Sequence, residues 1–245
     1  MNQGKRLEEI VNLITENGYI TAKYLTEKLH YSTATINRDL NLLQSKGIIK
    51  RNYGGVELVK QHTEKLPFRY HKMHAEKNRL AKLASALVED GDVIFIDGST
   101  TTEFMSKYLT EKSNITVISN NIQLLSYLSD HGVNSICLGG RVCEPPAMLG
   151  GGLTLENLSH FCTDKMFFAT VGVTFDGKIL SSEYGYNYIK TAANNTKTVI
   201  YLVDHDKVVE PKNEFIACDF NDVDYVISDF DFACKEKYKN TKFIK

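Results

Sequence analysis

The sequence predicts an α/β fold in two parts: a small, mostly helical N-terminal domain and a larger domain built on a mainly parallel sheet. Within residues 1–60, three amphipathic helical patterns precede two short strand patterns. From residue 75 onward, short apolar runs alternate with helical patterns, the order typical of parallel strands joined by helices. Charge divides similarly: residues 1–82 hold 15 basic and 8 acidic side chains (net +7), and residues 83–245 hold 14 and 22 (net −8).

The bulk composition favours a globular protein of two domains, which we place at residues 1–60 and 75–245 with a linker at 61–74. The chain is 42% apolar and 24% charged, and it contains no run of about 18 apolar residues that would predict a membrane helix. No secretory signal follows Met1, and the five cysteines are an odd set without a CxxC pair. We therefore expect a cytoplasmic protein with reduced thiols, no zinc site and no cofactor.

The N-terminal elements follow one another with clear helix starts. A first helix is predicted over residues 4–17 and a second over 22–29, with Thr21 as its N-cap. A short turn leads to Ser32, the N-cap of a third helix over 33–46 whose apolar stripe is Ile36, Leu40 and Leu43. Strands at 48–51 and 56–59 around a turn at 52–55 predict a two-stranded wing. This order predicts a winged helix-turn-helix.

The outward face of the third helix carries short hydrogen-bonding groups and one arginine, which suit base edges and phosphates. A polar face on one helix is more often merely solvated, but here the helices, caps and wing arrive in the order of a DNA-binding module. Together with the basic charge of this part of the chain, the pattern predicts binding to double-stranded DNA. The candidate DNA-binding residues are Thr21, Ser32, Thr33, Thr35, Asn37, Arg38, Asn41, Lys50, Arg51 and Tyr53.

Residues 31–40, followed by the segment 47–51 and the pair Gly54-Gly55, resemble the DeoR family of bacterial transcription regulators. The resemblance implies that the third helix docks in a DNA groove and that the protein regulates transcription. Because one winged helix covers only a short site, we expect a homo-oligomer, a dimer or higher, that reads paired half-sites of an operator.

The second domain is predicted as a sheet covered on both faces. Continuous apolar runs predict strands at 93–96, 115–118, 135–138, 166–171, 199–203 and 225–227. Helices are predicted before and between them at 75–88, 100–109, 122–129, 153–161 and 186–195. Since ligands of open α/β sheets bind beyond the carboxyl ends of the strands, the residues that follow each strand are the candidates for a site.

Those residues are rich in glycine, hydroxyl and charged groups. The loop 97–102 leads into a predicted helix, so its hydroxyls and free N–H groups suit a phosphate. Each feature also has a simpler interpretation as a helix cap, a turn or a solvated charge, and the prediction rests on their convergence at one edge. The candidate effector-binding residues are Asp97, Gly98, Ser99, Thr100, Thr101, Thr102, Ser119, Asn120, Gly139, Gly140, Arg141, Gly150, Glu183, Lys190, Asp204 and Lys207.

These positions, together with Asp164-Lys165, resemble the effector domain of the DeoR family, which is similar to the ribose-5-phosphate isomerase fold. The resemblance implies a sensor of a phosphorylated sugar, and usually a repressor of a sugar uptake or catabolism operon. The competing hypothesis is a sugar-phosphate isomerase with an attached DNA-binding module, in which Glu183 or Asp204 would act as the base. We favour the regulator, because a DNA-binding module gives an isomerase no evident advantage. The pair His71 and His74 lacks further ligands and predicts no metal site.

Overall fold

The structure is a computed structural model that describes residues 3–17, 19–46, 48–52, 55–58, 73–144, 148–211 and 215–245. The chain divides into two compact units, Met1–Lys72 (the head) and Met73–Lys245 (the body). The predicted turn residues Tyr53 and Gly54, His71 and most of the predicted linker lie outside the described residues.

The head contains the predicted three helices and the wing. The helices are α1 (Gln3–Asn17), α2 (Ala22–Leu29) and α3 (Thr33–Ser45). The strands are β1 (Tyr19–Ile20), β2 (Ile49–Asn52) and β3 (Gly55–Leu58), paired antiparallel in the order β1-β3-β2. The short strand β1 was not predicted, and it extends the wing to three strands.

Side-chain caps fix the two helix starts on which the prediction depended. The Thr21 side chain accepts the N–H of Tyr24 at 3.1 Å, and Ser32 Oγ accepts the N–H of Thr35 at 3.2 Å. The apolar stripe of α3 is buried against the other head elements, and the fully buried residues include Leu25, Ile36, Leu40 and Leu43. Burial of this stripe holds the opposite face of α3 outward.

The body is built on seven parallel strands in the order β15-β14-β12-β9-β4-β5-β6. These strands are β4 (Val93–Ile96), β5 (Thr116–Ser119), β6 (Asn134–Cys137), β9 (Thr163–Phe168), β12 (Thr196–Val203), β14 (Tyr225–Ser228) and β15 (Lys242–Ile244). Six of them match the predicted apolar runs, and β15 was missed. On β4, Phe95 packs in one apolar cluster while Ile94 and Ile96 pack in another, so both faces are covered.

The body helices match the prediction except at one place. They are α4 (His74–Ser85), α5 (Thr100–Glu103), α6 (Ser106–Leu109), α7 (Ile122–Asp130), α8 (Gly152–Ser159) and α9 (Glu183–Asn194). The continuous helix predicted over residues 100–109 is wrong, because the structure divides it into α5 and α6. With four residues, α5 has a small dipole, so a phosphate at its start would depend on individual N–H groups.

Two small antiparallel sheets were not predicted. One is the hairpin of β7 (Arg141–Glu144) and β8 (Met148–Gly150). The other has the order β10-β11-β13, formed by β10 (Gly172–Val173), β11 (Lys178–Ser181) and β13 (Phe215–Asp219). Among the described residues, no helix is long and apolar enough to cross a membrane.

Candidate functional site

The outward face of α3 presents the predicted polar groups. Thr33, Arg38 and Asn41 are exposed, and Thr35 and Asn37 are partly exposed. The Arg38 guanidinium has no hydrogen bond or ion pair with any residue that the structure describes. A free cation beside short amide groups is the arrangement that contacts phosphates and base edges.

A buried ion pair holds α3 against α1. Arg6 Nε donates to Asp39 Oδ2 at 2.5 Å and Arg6 Nη2 donates to Asp39 Oδ1 at 3.2 Å. The Asp39 side chain is fully buried, and the guanidinium of Arg6 lies 4.9 Å from the centre of the Tyr31 ring. The sequence analysis missed Arg6 and Asp39, whose only signal was a carboxylate on the apolar side of the third helix. The pair sets the orientation of α3 without occupying its outward face.

Four of the predicted DNA-binding residues, two on the wing and two on α3, have side-chain partners that join parts of the head: Lys50, Arg51, Asn37 and Asn41. Lys50 Nζ lies 3.2 Å from Glu57 Oε1 on the neighbouring strand. Arg51 Nη1 donates to Asn41 Oδ1 at 3.0 Å, and Arg51 Nη2 donates to Asn37 Oδ1 at 2.6 Å. The wing and α3 therefore form one connected polar surface.

In the body, the carboxyl ends of the parallel strands meet at one edge, as predicted. The segments that follow β4, β5, β6 and β12 carry most of the candidate effector-binding residues. These are Asp97–Thr102 after β4, Asn120 after β5, Gly139–Arg141 after β6, and Asp204 and Lys207 after β12. We call these four segments the carboxyl edge.

The loop after β4 is organised around Asp97. Its Oδ1 accepts the hydroxyl of Thr102 at 2.6 Å and the N–H of Ser99 at 3.3 Å, while Oδ2 accepts the N–H of Ala169 at 3.2 Å. Burial raises the pKa of Asp97 to about 6, although these hydrogen bonds oppose the shift. Ser99 Oγ caps α5 and lies 2.8 Å from Thr102 Oγ1. The hydroxyls of Ser99 and Thr102 thus shape the loop itself.

The hairpin of β7 and β8 packs against the neighbouring part of the carboxyl edge. Asn120 Nδ2 donates to the carbonyl of Leu149 at 2.9 Å, and the Leu149 N–H donates back to the Asn120 carbonyl at 2.8 Å. Asn120 Oδ1 is buried and has no hydrogen-bond partner in the described part of the chain. A cleft of about 680 Å³ lies against the hairpin, lined by Gly140, Arg141, Cys143, Met148, Gly150, Gly151, Gly152, Leu153 and Ser182.

Gly140 makes the closest backbone approach in this region. Its φ is +116°, and a Cβ at this position would lie 2.7 Å from the carbonyl oxygen of Gly150. Gly139 also has a positive φ of +69°, but a Cβ there would meet only Asn157 Nδ2 at 4.0 Å. Only glycine fits at Gly140, because both the backbone angle and the space exclude a side chain.

The most deeply buried charge of the carboxyl edge is Asp204, and the buried Lys77 of α4 contacts Thr100 of the same edge. Asp204 is 1% exposed, and neither carboxylate oxygen has a hydrogen-bond partner among the described residues. Lys77, on α4, is 3% exposed, and its Nζ donates to Thr100 Oγ1 at 3.1 Å. Burial raises the pKa of Asp204, and the positive charges of Lys207 and Lys77 oppose that shift.

Sequence analysis missed Lys77, although a signal was present. Lys77 precedes Leu80 and Ala81 by three and four residues, so it lies on the buried face of α4. A lysine on the apolar face of a helix is rarely buried without a polar partner, and this spacing marks Lys77 as a candidate.

Other predicted residues lie apart from this cluster. Ser119 is fully buried, and its hydroxyl donates to the Ile96 carbonyl at 2.6 Å, so it has no hydrogen left for a ligand. Lys190 is exposed on α9, with Nζ 5.5 Å from the centre of the Tyr186 ring. Glu183 begins α9, beside a residue that lines the cleft, and its side chain is outside the described part.

The pair Asp164-Lys165, which carried part of the resemblance, lies at the opposite edge of the sheet. Lys165 Nζ donates to Asp92 Oδ2 at 2.6 Å, and Asp164 Oδ2 accepts the N–H of Val93 at 2.9 Å. Both contacts connect the amino ends of neighbouring strands. Asp164-Lys165 therefore ties the sheet together and is not part of the carboxyl edge.

Comparison with known proteins settles the family. A family model described as the DeoR-like helix-turn-helix domain matches residues 6–62, and one described as the DeoR C terminal sensor domain matches residues 72–230. The chain belongs to the DeoR family. It is a DNA-binding transcription regulator, and the predicted fold class is confirmed.

Curated relatives of the DeoR-family chain are named as repressors. It is 31% identical to the HTH-type transcriptional repressor GlcR of Bacillus subtilis, over 94% of this chain and 89% of the relative. It is 30% identical to the glycerol-3-phosphate regulon repressor of Escherichia coli, over 84% and 83%. It is 28% identical to the lactose phosphotransferase system repressor of Staphylococcus aureus, over 94% of each. The prediction of a regulator rather than an enzyme is confirmed.

Solved structures with a similar fold include ribose 5-phosphate isomerase A from Methanocaldococcus jannaschii. It is 17% identical, covers 56% of each chain and has a TM-score of 0.42. The δ subunit of eIF2B from Chaetomium thermophilum is 15% identical, over 86% of this chain and 77% of that chain, with a TM-score of 0.48.

Proposed function

We propose that this DeoR-family regulator is a repressor that binds its operator through α3 and the wing and releases it when a phosphorylated sugar binds at the carboxyl edge of the body. The observation that carries the ligand assignment is Asp204, a buried carboxylate with no hydrogen-bond partner among the described residues. A buried acceptor without a donor is costly, and a sugar hydroxyl would supply one.

The chemistry of the whole edge supports the same ligand class. Two acceptors have no hydrogen-bond partner within the described ranges, the carboxylate of Asp204 and the amide oxygen of Asn120, and both suit sugar hydroxyls. Cationic groups lie on the same edge: Lys77 beside Thr100, Lys207 after β12, and Arg141 lining the cleft. A phosphorylated sugar carries both hydroxyl donors and an anion, so it matches both sets. Two relatives carry names that mention glycerol-3-phosphate and the lactose phosphotransferase system.

For the head, we propose that Arg38 contacts a base edge or a phosphate, and that Lys50 contacts the DNA backbone. Thr33 and Asn41 are exposed on the same face of α3 as Arg38, and Thr21 and Ser32 act as caps that position the helices. The predicted role of Tyr53 stays a prediction. We also propose a homo-oligomer assembled through the body, supported by the exposed Phe215 and Ile216 on β13, which lies at the edge of its sheet.

A thermal-shift screen of the full chain against phosphorylated and unphosphorylated sugars tests the ligand assignment. A ligand at about 100 times its Kd adds about 2.7 kcal/mol of stability. We expect a shift with one phosphorylated sugar and none with its unphosphorylated form. The Asp204→Asn variant should lose most of this shift, because it removes the charge and replaces one of the two accepting oxygens by an NH2 group that cannot accept from a sugar hydroxyl. Equal shifts with both forms would contradict the phosphate assignment.

A further inference from the structure

The guanidinium of Arg51 connects the wing to two amides of the recognition surface. Arg51 belongs to β2, and its two terminal nitrogens donate to Asn41 Oδ1 at 3.0 Å and to Asn37 Oδ1 at 2.6 Å. Asn37 and Asn41 lie one turn apart on the outward face of α3. The arginine therefore spans both asparagines from the side of the wing.

This contact fixes which way the two amides point. A guanidinium has five N–H donors and no acceptor, so the amide atom that faces it must be the oxygen. Asn37 is fixed further, because its Nδ2 donates to the Thr33 carbonyl at 3.0 Å. The Nδ2 group of Asn41 donates to no described residue, so both of its hydrogens are available.

The result is a surface that offers donors to DNA. Among the described residues, the free donors of this surface are the Nδ2 hydrogens of Asn41, one hydrogen of Asn37 Nδ2, the guanidinium of Arg38 and the hydroxyl of Thr33. In the major groove, guanine presents two acceptors, N7 and O6, whereas adenine presents the acceptor N7 beside the donor N6. An asparagine reads adenine with its oxygen and its nitrogen together, which requires the oxygen to face the base, whereas here both asparagine oxygens face the guanidinium of Arg51.

We propose that Arg51 is a positioning residue for base recognition. By holding the oxygens of Asn37 and Asn41, it turns their amide nitrogens toward the groove. The protein therefore selects guanine at the contacted positions and disfavours adenine, which an asparagine would contact through its oxygen and nitrogen together. This inference rests on the proposed binding of the operator through α3, and it takes the groove that α3 enters to be the major groove. The simpler alternative is that Arg51 only contacts a phosphate.

The experiment compares the full chain with Arg51→Lys, Arg51→Met and Lys50→Met in selection from a library of random DNA duplexes. Fluorescence anisotropy on the selected sequences at several salt concentrations then measures affinity and salt slope. Arg51→Lys keeps the charge but not the two-pronged contact. It should keep the salt slope while discrimination against adenine falls about 5- to 150-fold at one or two positions. Lys50→Met is the matched control, and it should lower the salt slope by about 1 without changing the base preference.

Asn41→Ala gives a second test that does not depend on Arg51 variants. The base pair at which Asn41→Ala loses discrimination is the one that Asn41 reads, and the wild-type chain should prefer guanine there. Adding Arg51→Lys to Asn41→Ala should cause no further loss of discrimination between guanine and adenine at that base pair.

Two results would overturn the inference: an unchanged base preference in Arg51→Lys, or a wild-type preference for adenine at the base pair read by Asn41. If the wild-type chain enriches no sequence from the library, the proposal that α3 and the wing bind an operator of specific sequence is wrong instead. The two failures are therefore distinguishable.

Discussion

The buried ion pair of the head makes the strongest prediction about stability. In Arg6→Met, the carboxylate of Asp39 stays buried but loses a cation that contacts both of its oxygens, at 2.5 and 3.2 Å. Breaking a fully buried pair on one side costs about 3–5 kcal/mol, and because the Arg6 side chain is 13% exposed we expect the lower end of that range. For the head, Met1–Lys72, the usual ~0.05–0.15 kcal/mol per residue gives a free energy of unfolding of about 4–11 kcal/mol, so this loss is a large fraction of the total. We therefore expect partial unfolding of the head and loss of operator binding at 25 °C.

Urea denaturation of the full chain, with anisotropy on a selected operator, measures both effects. The double variant Arg6→Met with Asp39→Leu is the matched control, because replacing both charges by apolar groups is often neutral or stabilising. It should recover most of the stability. A loss below about 1 kcal/mol in Arg6→Met, or a double variant as unstable as the single one, would refute the role given to the pair.

Three further predictions concern the body. Gly140→Ala should destabilise the body by about 3 kcal/mol, because backbone strain at the positive φ and overlap of the new Cβ with the Gly150 carbonyl both contribute. Gly139→Ala has only the backbone strain and should cost about 1 kcal/mol, and urea denaturation of both variants measures the difference. Since burial raises the pKa of Asp97 to about 6, the folded chain binds this proton more tightly than the unfolded chain, and ionisation destabilises the fold. Relative to Asp97→Asn, the wild type should lose about 1 kcal/mol between pH 5 and pH 7, and a gain would contradict this sign. The hydrogen bond that His205 Nδ1 donates to Asp229 Oδ2 at 2.6 Å raises the pKa of His205. The stabilisation from this bond is therefore present below the unfolded pKa and is lost as pH rises through the folded pKa. Between pH 6 and pH 8 the wild type should therefore lose stability relative to His205→Gln, as thermal denaturation at each pH would show.

Sequence patterns predicted the elements whose signals are local. The caps Thr21 and Ser32 mark helix starts within three residues of the N–H groups that they accept. The apolar runs of the central strands are equally local, because burial on both faces leaves no polar alternation. By contrast, β13 is held by pairing with the distant strand β11, and β15 by pairing with β14, and periodicity does not report such pairing.

In the candidate site, too, the sequence predicted positions but not contacts. The edge at which the predicted residues meet follows from parallel topology, so the places of Asp97 and Asp204 at this edge could be predicted from their positions after strands, while their role in binding stays a prediction. The hydrogen-bond partners of the site residues could not be predicted from the sequence. The bond from Lys77 to Thr100 and those from Arg51 to the α3 amides join segments separated by 10 to 23 residues, and their geometry depends on packing. Likewise, Ser119 has the composition of a ligand-binding residue but is occupied within the sheet.

The central claim is that ligand binding at the carboxyl edge controls operator binding by the head. The most direct measurement is operator affinity of the full chain, by fluorescence anisotropy, with and without the phosphorylated sugar that raises its melting temperature. The account predicts that the sugar weakens operator binding about 5- to 150-fold in the wild type. In Asp204→Asn and Lys77→Met, operator affinity without ligand should stay near wild type and the response should be lost. An undiminished response in both variants, or a stabilising sugar that leaves operator affinity unchanged, would contradict it.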